Sequence, residues 1–352
     1  MNFYWIQLFV FMIYSFFFYI IKPNLSKTYF WLVGIQLVSI MGLRSFRVGT
    51  DTLTNINSYL ANEPVESDTF VYDLLRKISC FFAPNDYHVF LFLLSTVTVS
   101  IFLYCVYFCQ HTFLERFLSI YLYITLYFYF ASFNVQRQML AVMVAMLIPF
   151  ALLKKQKGKA GLFFLLALGI HNTSIIAILD FLVVRIRKSK HALITTISVS
   201  ILLIYMSNYL FSIFSNIFDH YKIYDNSNEF TANGGSILLG IFIFVFISAT
   251  LIISKEALYQ NATISILLYL SLIAAILYIL GAKNTLVMRM VDYYSIFVPL
   301  FLPKAINVVS QKFTYRLLIK LVLIIIIMLA GFCLLYYKLS HNMGGIVPYS
   351  TL

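Results

Sequence analysis

The chain has 352 residues, of which 62% are hydrophobic and only 11% are charged, and its mean hydropathy is +0.90. These values exclude a soluble globular protein, in which about a quarter of the residues are charged. The net charge of +12 does not indicate nucleic-acid binding, because most Lys and Arg lie in short loops beside apolar runs, as in cytoplasmic loops of membrane proteins. The composition predicts an all-α polytopic membrane protein.

Apolar runs between polar breaks predict about ten transmembrane helices, since about 20 apolar residues cross the bilayer as a helix. They cover residues 3–21, 29–43, 88–109, 117–131, 136–153, 192–214, 236–254, 262–281, 288–303 and 316–337. We find neither an internal repeat nor a linker. Residues 1–352 are therefore expected to form a single integral membrane domain.

The apolar segment 161–184 has basic clusters on both sides, at 154–159 and 185–190. If this segment spans the membrane and the N-terminus is outside, 11 of the 25 Lys and Arg residues lie inside; if it enters and returns, 16 do. The positive-inside rule favours the second topology. We therefore predict a re-entrant helical hairpin with arms of about 15 Å and its tip, residues 171–174, in a polar cavity at mid-membrane.

In this topology the largest non-cytoplasmic loop is 44–87. It contains about half of the 13 acidic residues and is expected to form a short amphipathic helix around Phe70 to Phe82. A second outside loop covers 215–235. Because polar residues gather on this side, we predict that the active site faces the periplasm or exterior.

Arginines stand at the outside ends of several predicted spans, where their planar forks could hold the two phosphates of a lipid diphosphate. They are Arg44, Arg47, Arg137 and Arg289. Around Arg137, the amides of Asn134 and Gln138 could hold the guanidinium or bind sugar hydroxyls. Asn134 could equally cap the following helix. Snorkelling or ion pairing explains a single arginine, but the set favours a binding site.

His171 and Asp51 are the candidates for proton transfer. His171 lies at the predicted tip of the hairpin and could hydrogen-bond a phosphate or accept a proton. Asp51, after Gly49 and Thr50, could act as a general base or orient an arginine, and nearby arginines favour the orienting role because they lower its pKa. No spacing of histidines and carboxylates indicates a metal site, and no cofactor is expected.

Five short motifs follow one another in an order that covers nearly the whole chain. They are Arg44-x-x-x-Val48-Gly49-Thr50-Asp51-Thr52, Ser132-Phe133-Asn134-x-x-Arg137-Gln138-x-x-Ala141, His171-x-x-Ser174, Arg289-x-x-x-Tyr293 and Pro348-Tyr349. Together they resemble the EpsG-like branch of the Wzy-type O-antigen, capsule and exopolysaccharide polymerases. The chain departs from the family's pattern at Ser45, where glycine is frequent, and at Asp180, where proline is expected.

The resemblance implies a metal-independent glycosyltransferase with a GT-C-like fold in the bacterial cytoplasmic membrane. Such an enzyme would transfer a growing glycan from undecaprenyl diphosphate onto the next lipid-linked repeat unit, and a chain-length regulator and a flippase would be its partners. The arginines would hold the diphosphate, His171, Arg137 and Asp51 would be catalytic, and Tyr293 and Tyr349 would line the glycan path. A flippase for lipid-linked oligosaccharide and an O-antigen ligase remain the alternatives.

Overall fold

The computed structural model describes residues 1–21, 26–63, 69–189, 191–217, 235–254, 260–280 and 285–351. Within these ranges all regular elements are helices, which confirms the all-α prediction. In chain order they are α1 (Asn2–Ile21), α2 (Ser26–Gly42), α3 (Thr52–Ala61), α4 (Phe70–Phe82), α5 (Tyr87–Cys109), α6 (Phe113–Thr125), α7 (Phe128–Asn134), α8 (Gln136–Leu153), α9 (Lys157–Ile170), α10 (Leu179–Ile186), α11 (Ala192–Ile217), α12 (Gly235–Ile253), α13 (Ala262–Leu280), α14 (Thr285–Ser295), α15 (Val298–Ser310) and α16 (Arg316–Ser340).

Helices are present at all ten predicted spans. Five of them, α1, α5, α8, α13 and α16, are long and apolar enough to cross a membrane, and the bent pairs α6/α7 and α14/α15 raise that number to seven in the described part of the chain. Helix α2 has 17 residues, and the apolar stretches Ala192–Met206 and Ile237–Ile253 are also short. The polytopic architecture is confirmed, while the count of ten spans stays a prediction.

The predicted span 117–131 bends by 41° between α6 and α7. The break lies at Tyr127, whose φ of 78° is left-handed, a conformation that residues with a Cβ rarely adopt. Helix α6 itself begins with a capping box, in which Thr112 Oγ1 accepts from the Glu115 N–H and the Glu115 carboxylate accepts from the Thr112 N–H. The bend ends the apolar span early and leaves Asn134 at the end of a separate short helix.

The chain divides into two compact units. The first contains residues 1–148, 157–175 and 321–352, and the second contains 149–156 and 176–320. In the second unit, Gly240 of α12 lies so close to α13 that a Cβ would collide with Tyr278 and Ile279, a close approach typical of small residues between membrane helices. The prediction of one membrane domain stays a prediction, and each unit is described by itself.

The helical break predicted at residues 171–174 is present. Helix α9 ends at Ile170, and a 3₁₀ turn covers Asn172–Ile178 before α10 begins. The first arm has 14 residues and is about 21 Å long, which is longer than the 15 Å expected. Because the two units divide at residue 175, the return of the segment to the same side stays a prediction.

The amphipathic helix predicted in the first outside loop is present as α4, with the bounds that were expected. Tyr72 and Arg76 are buried on one of its faces, whereas Phe70, Leu74 and Phe81 are exposed on the other. Of the predicted second outside loop 215–235, residues 218–234 lie outside the described part of the chain.

Candidate functional site

The first loop folds around Gly49, which has a φ of 95°. A Cβ at this position would collide with the carbonyl oxygen of Phe133 and with Thr52 Oγ1. The Thr52 hydroxyl donates to the carbonyl oxygens of Val48, at 2.8 Å, and of Phe133, at 3.1 Å. Glycine is therefore required here, and the loop is pressed against the end of α7.

Asn134, the last residue of α7, anchors this loop. Its Oδ1 accepts hydrogen bonds from the Asp51 backbone N–H, at 3.1 Å, and from the Thr50 hydroxyl. Among the hydrogen bonds that the structure describes, the side chain thus serves the first loop and joins it to the residues around Arg137. Its predicted roles in holding the arginine, binding sugar hydroxyls or capping α8 stay predictions.

Replacing Asn134 by alanine is expected to loosen the loop and to lower the free energy of unfolding by about 0.5–1.5 kcal/mol, because the exposed loop loses the acceptor that joins it to α7. Asn134→Asp keeps an acceptor oxygen and is the matched control, expected to lose less. Limited proteolysis of the loop, together with thermal unfolding in detergent, measures both effects. Equal protease resistance of Asn134→Ala and the wild type would contradict this role.

A segment from the other end of the chain, residues 342–350, closes over the first loop. The loop's backbone N–H groups donate to its carbonyl oxygens, Ser45 to Ser350 at 2.8 Å, Gly49 to Gly345 at 3.0 Å and Thr50 to Gly344 at 3.1 Å. Further along the segment, the Tyr4 hydroxyl donates to the Ile346 carbonyl at 2.7 Å. The loop is therefore held on one side by α7 and on the other by the 342–350 segment.

Arg44 lies beneath this loop and is completely buried. Its Nη1 donates to the Met41 carbonyl, and its guanidinium carbon is 5.1 Å from the ring centroid of Phe133. Nε and Nη2 have no hydrogen-bond partner among the described residues. Burial lowers the pKa of Arg44 to about 10, partly offset by nearby tyrosines, so the side chain is a buried cation at neutral pH.

Tyr72 of α4 lies near both Arg44 and Arg137, two arginines of the sequence motifs. The guanidinium carbon of Arg137 is 6.0 Å from the Tyr72 ring centroid, and the Tyr72 hydroxyl donates to Asn55 Oδ1 at 3.2 Å. Burial raises the pKa of Tyr72, while Arg137 and Arg44 are close enough to oppose that shift. The phenol is therefore protonated at neutral pH and acts as a hydrogen-bond donor.

The other candidates near Arg137 differ in exposure. Asp51 and Arg47 are exposed, whereas Arg137 is half-buried and Gln138 is buried. The Asp51 carboxylate accepts from the Thr50 hydroxyl at 3.3 Å and lies near enough to Tyr72 to contribute to its raised pKa. Exposed acidic and basic groups thus lie at the surface of the loop, above a layer of buried arginine and tyrosine.

His171 directly follows α9, which packs against α4 in the first unit. A Cβ at Gly169 would collide with the side chains of Phe70 and Val71, so the end of α9 lies directly beside the residue that precedes Tyr72. His171 Nδ1 accepts from the Thr173 backbone N–H at 3.3 Å and lies 2.8 Å from the Thr173 hydroxyl. In the neutral ring the proton is therefore on Nε2.

Three predicted site residues are placed differently from the rest. The Tyr349 hydroxyl donates to the Ile40 carbonyl at 3.0 Å, and its ring stacks on Phe3 with centroids 4.0 Å apart, so this tyrosine fastens the 342–350 segment. Arg289 and Tyr293 lie on α14, in the second unit. Within the described ranges no three His, Cys, Asp or Glu side chains gather into a metal-binding group.

Tyr72 and the 342–350 backbone were not recognised from sequence. The amphipathic pattern of α4 placed Tyr72 on the face that includes Arg76 and Ser79, which was the available signal for a buried tyrosine. Hydrogen bonds between residues about 300 positions apart cannot be predicted from a local sequence pattern.

Comparison with known protein families gives one match, to the EpsG family, over residues 27–351. Neither the comparison with curated proteins nor the comparison with solved structures gives a match. The matched range includes all five motifs and every residue of the candidate site. The chain therefore belongs to the EpsG family.

Proposed function

We propose that this protein is a polysaccharide polymerase that transfers a growing glycan from a polyprenyl diphosphate to the next lipid-linked repeat unit, outside the cytoplasmic membrane. Membership in the EpsG family over nearly the whole chain carries the proposal. The layered arrangement of Arg44, Tyr72 and Arg137 under an exposed loop supports it, because fixed positive charge and hydrogen-bond donors suit a diphosphate.

In the proposed reaction, a hydroxyl of the acceptor sugar attacks C1 of the donor glycan. The bond between C1 and the diphosphate oxygen breaks, the polyprenyl diphosphate leaves with that electron pair, and the hydroxyl proton passes to a base. Arg137 stabilises the negative charge that grows on the leaving diphosphate, and the buried cation of Arg44 adds to that field from below. Asn134 and Tyr72 position the loop and the guanidinium.

The hydrogen bonds of His171 favour one of its two predicted roles. Nδ1 already accepts from Thr173, and Nε2 carries the proton in the neutral ring. The imidazole is then suited to donate to a phosphate oxygen. Asp51, for which the sequence favoured an orienting role, is exposed at the loop surface and is the remaining candidate for the base. The glycan path, the oligosaccharide carried and the destination of the polymer as O-antigen, capsule or exopolysaccharide follow from the family only as proposals.

Reconstitution with lipid-linked repeat units, with product length resolved on a gel, tests the function. Arg137→Ala and His171→Ala are each expected to lower polymerisation by about 100-fold or more, as loss of one transition-state donor does. His171→Gln retains an N–H donor and should keep part of the activity, whereas a base would not be replaced by an amide. Lys159→Ala, at an exposed lysine of α9, is the control for both.

Protein content in the membrane is measured in parallel by immunoblotting. Normal ladders from Arg137→Ala and His171→Ala, with wild-type protein levels, would contradict the proposal. A flippase would instead leave repeat units in the inner leaflet when it is inactivated. A ligase would transfer finished glycan to an acceptor other than a lipid-linked unit.

A further inference from the structure

A cavity of about 440 Å³ opens between α2 and α5, and none of its lining residues belongs to the candidate site around Arg137. Its size lies within the range typical of small-molecule sites. Helix α2 contributes six lining residues between Lys27 and Val38, and α5 contributes five between Thr96 and Tyr107. The lining is apolar and aromatic along most of its length, with a lysine at one end.

The two helices run antiparallel, since Phe30 contacts Tyr107 and Gly34 approaches Leu103. Gly34, Thr96 and Ser100 are small, and this leaves a groove between the helices. From Lys27 to Val38 the groove covers 11 residue steps, or about 17 Å. That length is close to half of a bilayer core of about 30 Å, so the groove extends through about one leaflet.

The shape and the charge of the groove suit a lipid. Its walls are long, apolar and open to the outside of the helices, and its one charged lining residue, Lys27, stands at one end. An acyl chain along the walls with an anionic head group at that end matches this pattern. Trp31 and Tyr104 are exposed on the two walls of the groove, as expected of side chains that face lipid.

Positive charge lies at the Lys27 end. Lys27 is exposed, and the guanidinium carbon of Arg116 lies 5.4 Å from the Tyr107 ring centroid and 5.9 Å from that of Phe30. Arg116 Nε donates to the Gln110 carbonyl at 3.1 Å. The adjacent carboxylate of Glu115 accepts from backbone N–H groups at the start of α6, and no acidic residue lines the groove.

We propose that the groove binds one anionic phospholipid of the leaflet on the Lys27 side. One acyl chain lies between Trp31 and Tyr104, and Lys27 and Arg116 receive the negatively charged head group. Basic residues near the membrane surface attract anionic lipid, and aromatic side chains at the same level are typical of the membrane interface.

Native mass spectrometry of the purified full chain, with phosphatidylglycerol or phosphatidylcholine added, tests the proposal. The wild type is expected to retain phosphatidylglycerol about tenfold more than phosphatidylcholine, and the double variant Lys27→Gln/Arg116→Gln should lose that preference. Gly34→Leu, whose side chain would fill the groove beside Leu103, should lose both lipids. Lys159→Gln should behave as the wild type.

Size-exclusion profiles verify folding. If Gly34→Leu aggregates, the proposal is tested by comparing the lipid preference of the double variant with that of Lys159→Gln. Equal retention of the two phospholipids by the wild type, or unchanged preference in the double variant, would overturn the proposal. Undecaprenyl phosphate added at equal concentration is the last arm. If it displaces phosphatidylglycerol, the groove binds the polyprenyl carrier and the phospholipid proposal is overturned. The proposal is independent of the polymerase function, so phospholipid retention should still be observed if that function alone fails.

Discussion

Gly49→Ala is expected to lower the free energy of unfolding by about 3 kcal/mol or more, which is at the high end for a single substitution. Two effects add. A residue with a Cβ at a φ of 95° is strained by about 1–3 kcal/mol, and the new methyl would collide with the Phe133 carbonyl. That carbonyl belongs to the backbone and already accepts from Thr52, so it cannot move aside cheaply.

Thermal unfolding in detergent measures the loss, and proteolysis at residues 43–51 reports whether the first loop has come away. Gly158→Ala is the matched control, because nothing lies within 4 Å of a Cβ at that position and its φ is not positive; it should leave stability unchanged or slightly higher. A transition for Gly49→Ala that coincides with that of Gly158→Ala would show that the loop is not fixed as described.

Arg44→Met is expected to lower the activity of the protein without lowering its stability. A buried cation whose Nε and Nη2 lack partners among the described residues is costly to desolvate, and apolar replacement of buried charge is often neutral or stabilising. The unfolding transition should therefore be unchanged or higher. Polymerisation should nevertheless fall by about 30-fold, the effect of losing ~2 kcal/mol, because a fixed unit charge near the leaving group stabilises the charge that grows on it.

The same reconstituted assay, paired with thermal unfolding, examines both halves of this expectation. Arg316→Met removes an exposed arginine at the start of α16 and should change neither quantity. If Arg44→Met is fully active and equally stable, Arg44 has no electrostatic role in the reaction. If it is inactive and strongly destabilised, the arginine is chiefly a packing element.

Sequence patterns predicted the elements whose signal is local. The apolar runs placed a helix at each span, the amphipathic pattern gave the bounds of α4, and the polar residues at His171 marked the end of α9. The bend at Tyr127 was missed because its left-handed backbone lies within an uninterrupted apolar run. Hydropathy measures whether a segment is apolar and carries no information about where it bends.

The site was predicted in part. Arg44, Asp51, Asn134, Arg137 and His171 all lie in the first unit, and Arg44 and Asp51 lie in the predicted first loop. Their mutual arrangement depends on contacts between distant parts of the chain, which no local pattern encodes. Tyr72 and the backbone of 342–350 therefore entered only with the structure. Tyr349 fastens that segment through the Ile40 carbonyl, and its place on the glycan path stays a prediction.

The hydrogen bonds between the first loop and residues 342–350 also constrain how the protein is made. The hydroxyls of Ser45 and Ser350 pair across 305 positions, so the loop cannot reach its final shape until the ribosome has synthesised residue 350 and α16 has entered the bilayer. Until then a newly synthesised chain would expose an unfinished loop to quality-control proteases. For the experimenter, an affinity tag fused directly after this segment, or directly before α1, needs a spacer, because Phe3 and Tyr4 at the start of α1 also contact the segment.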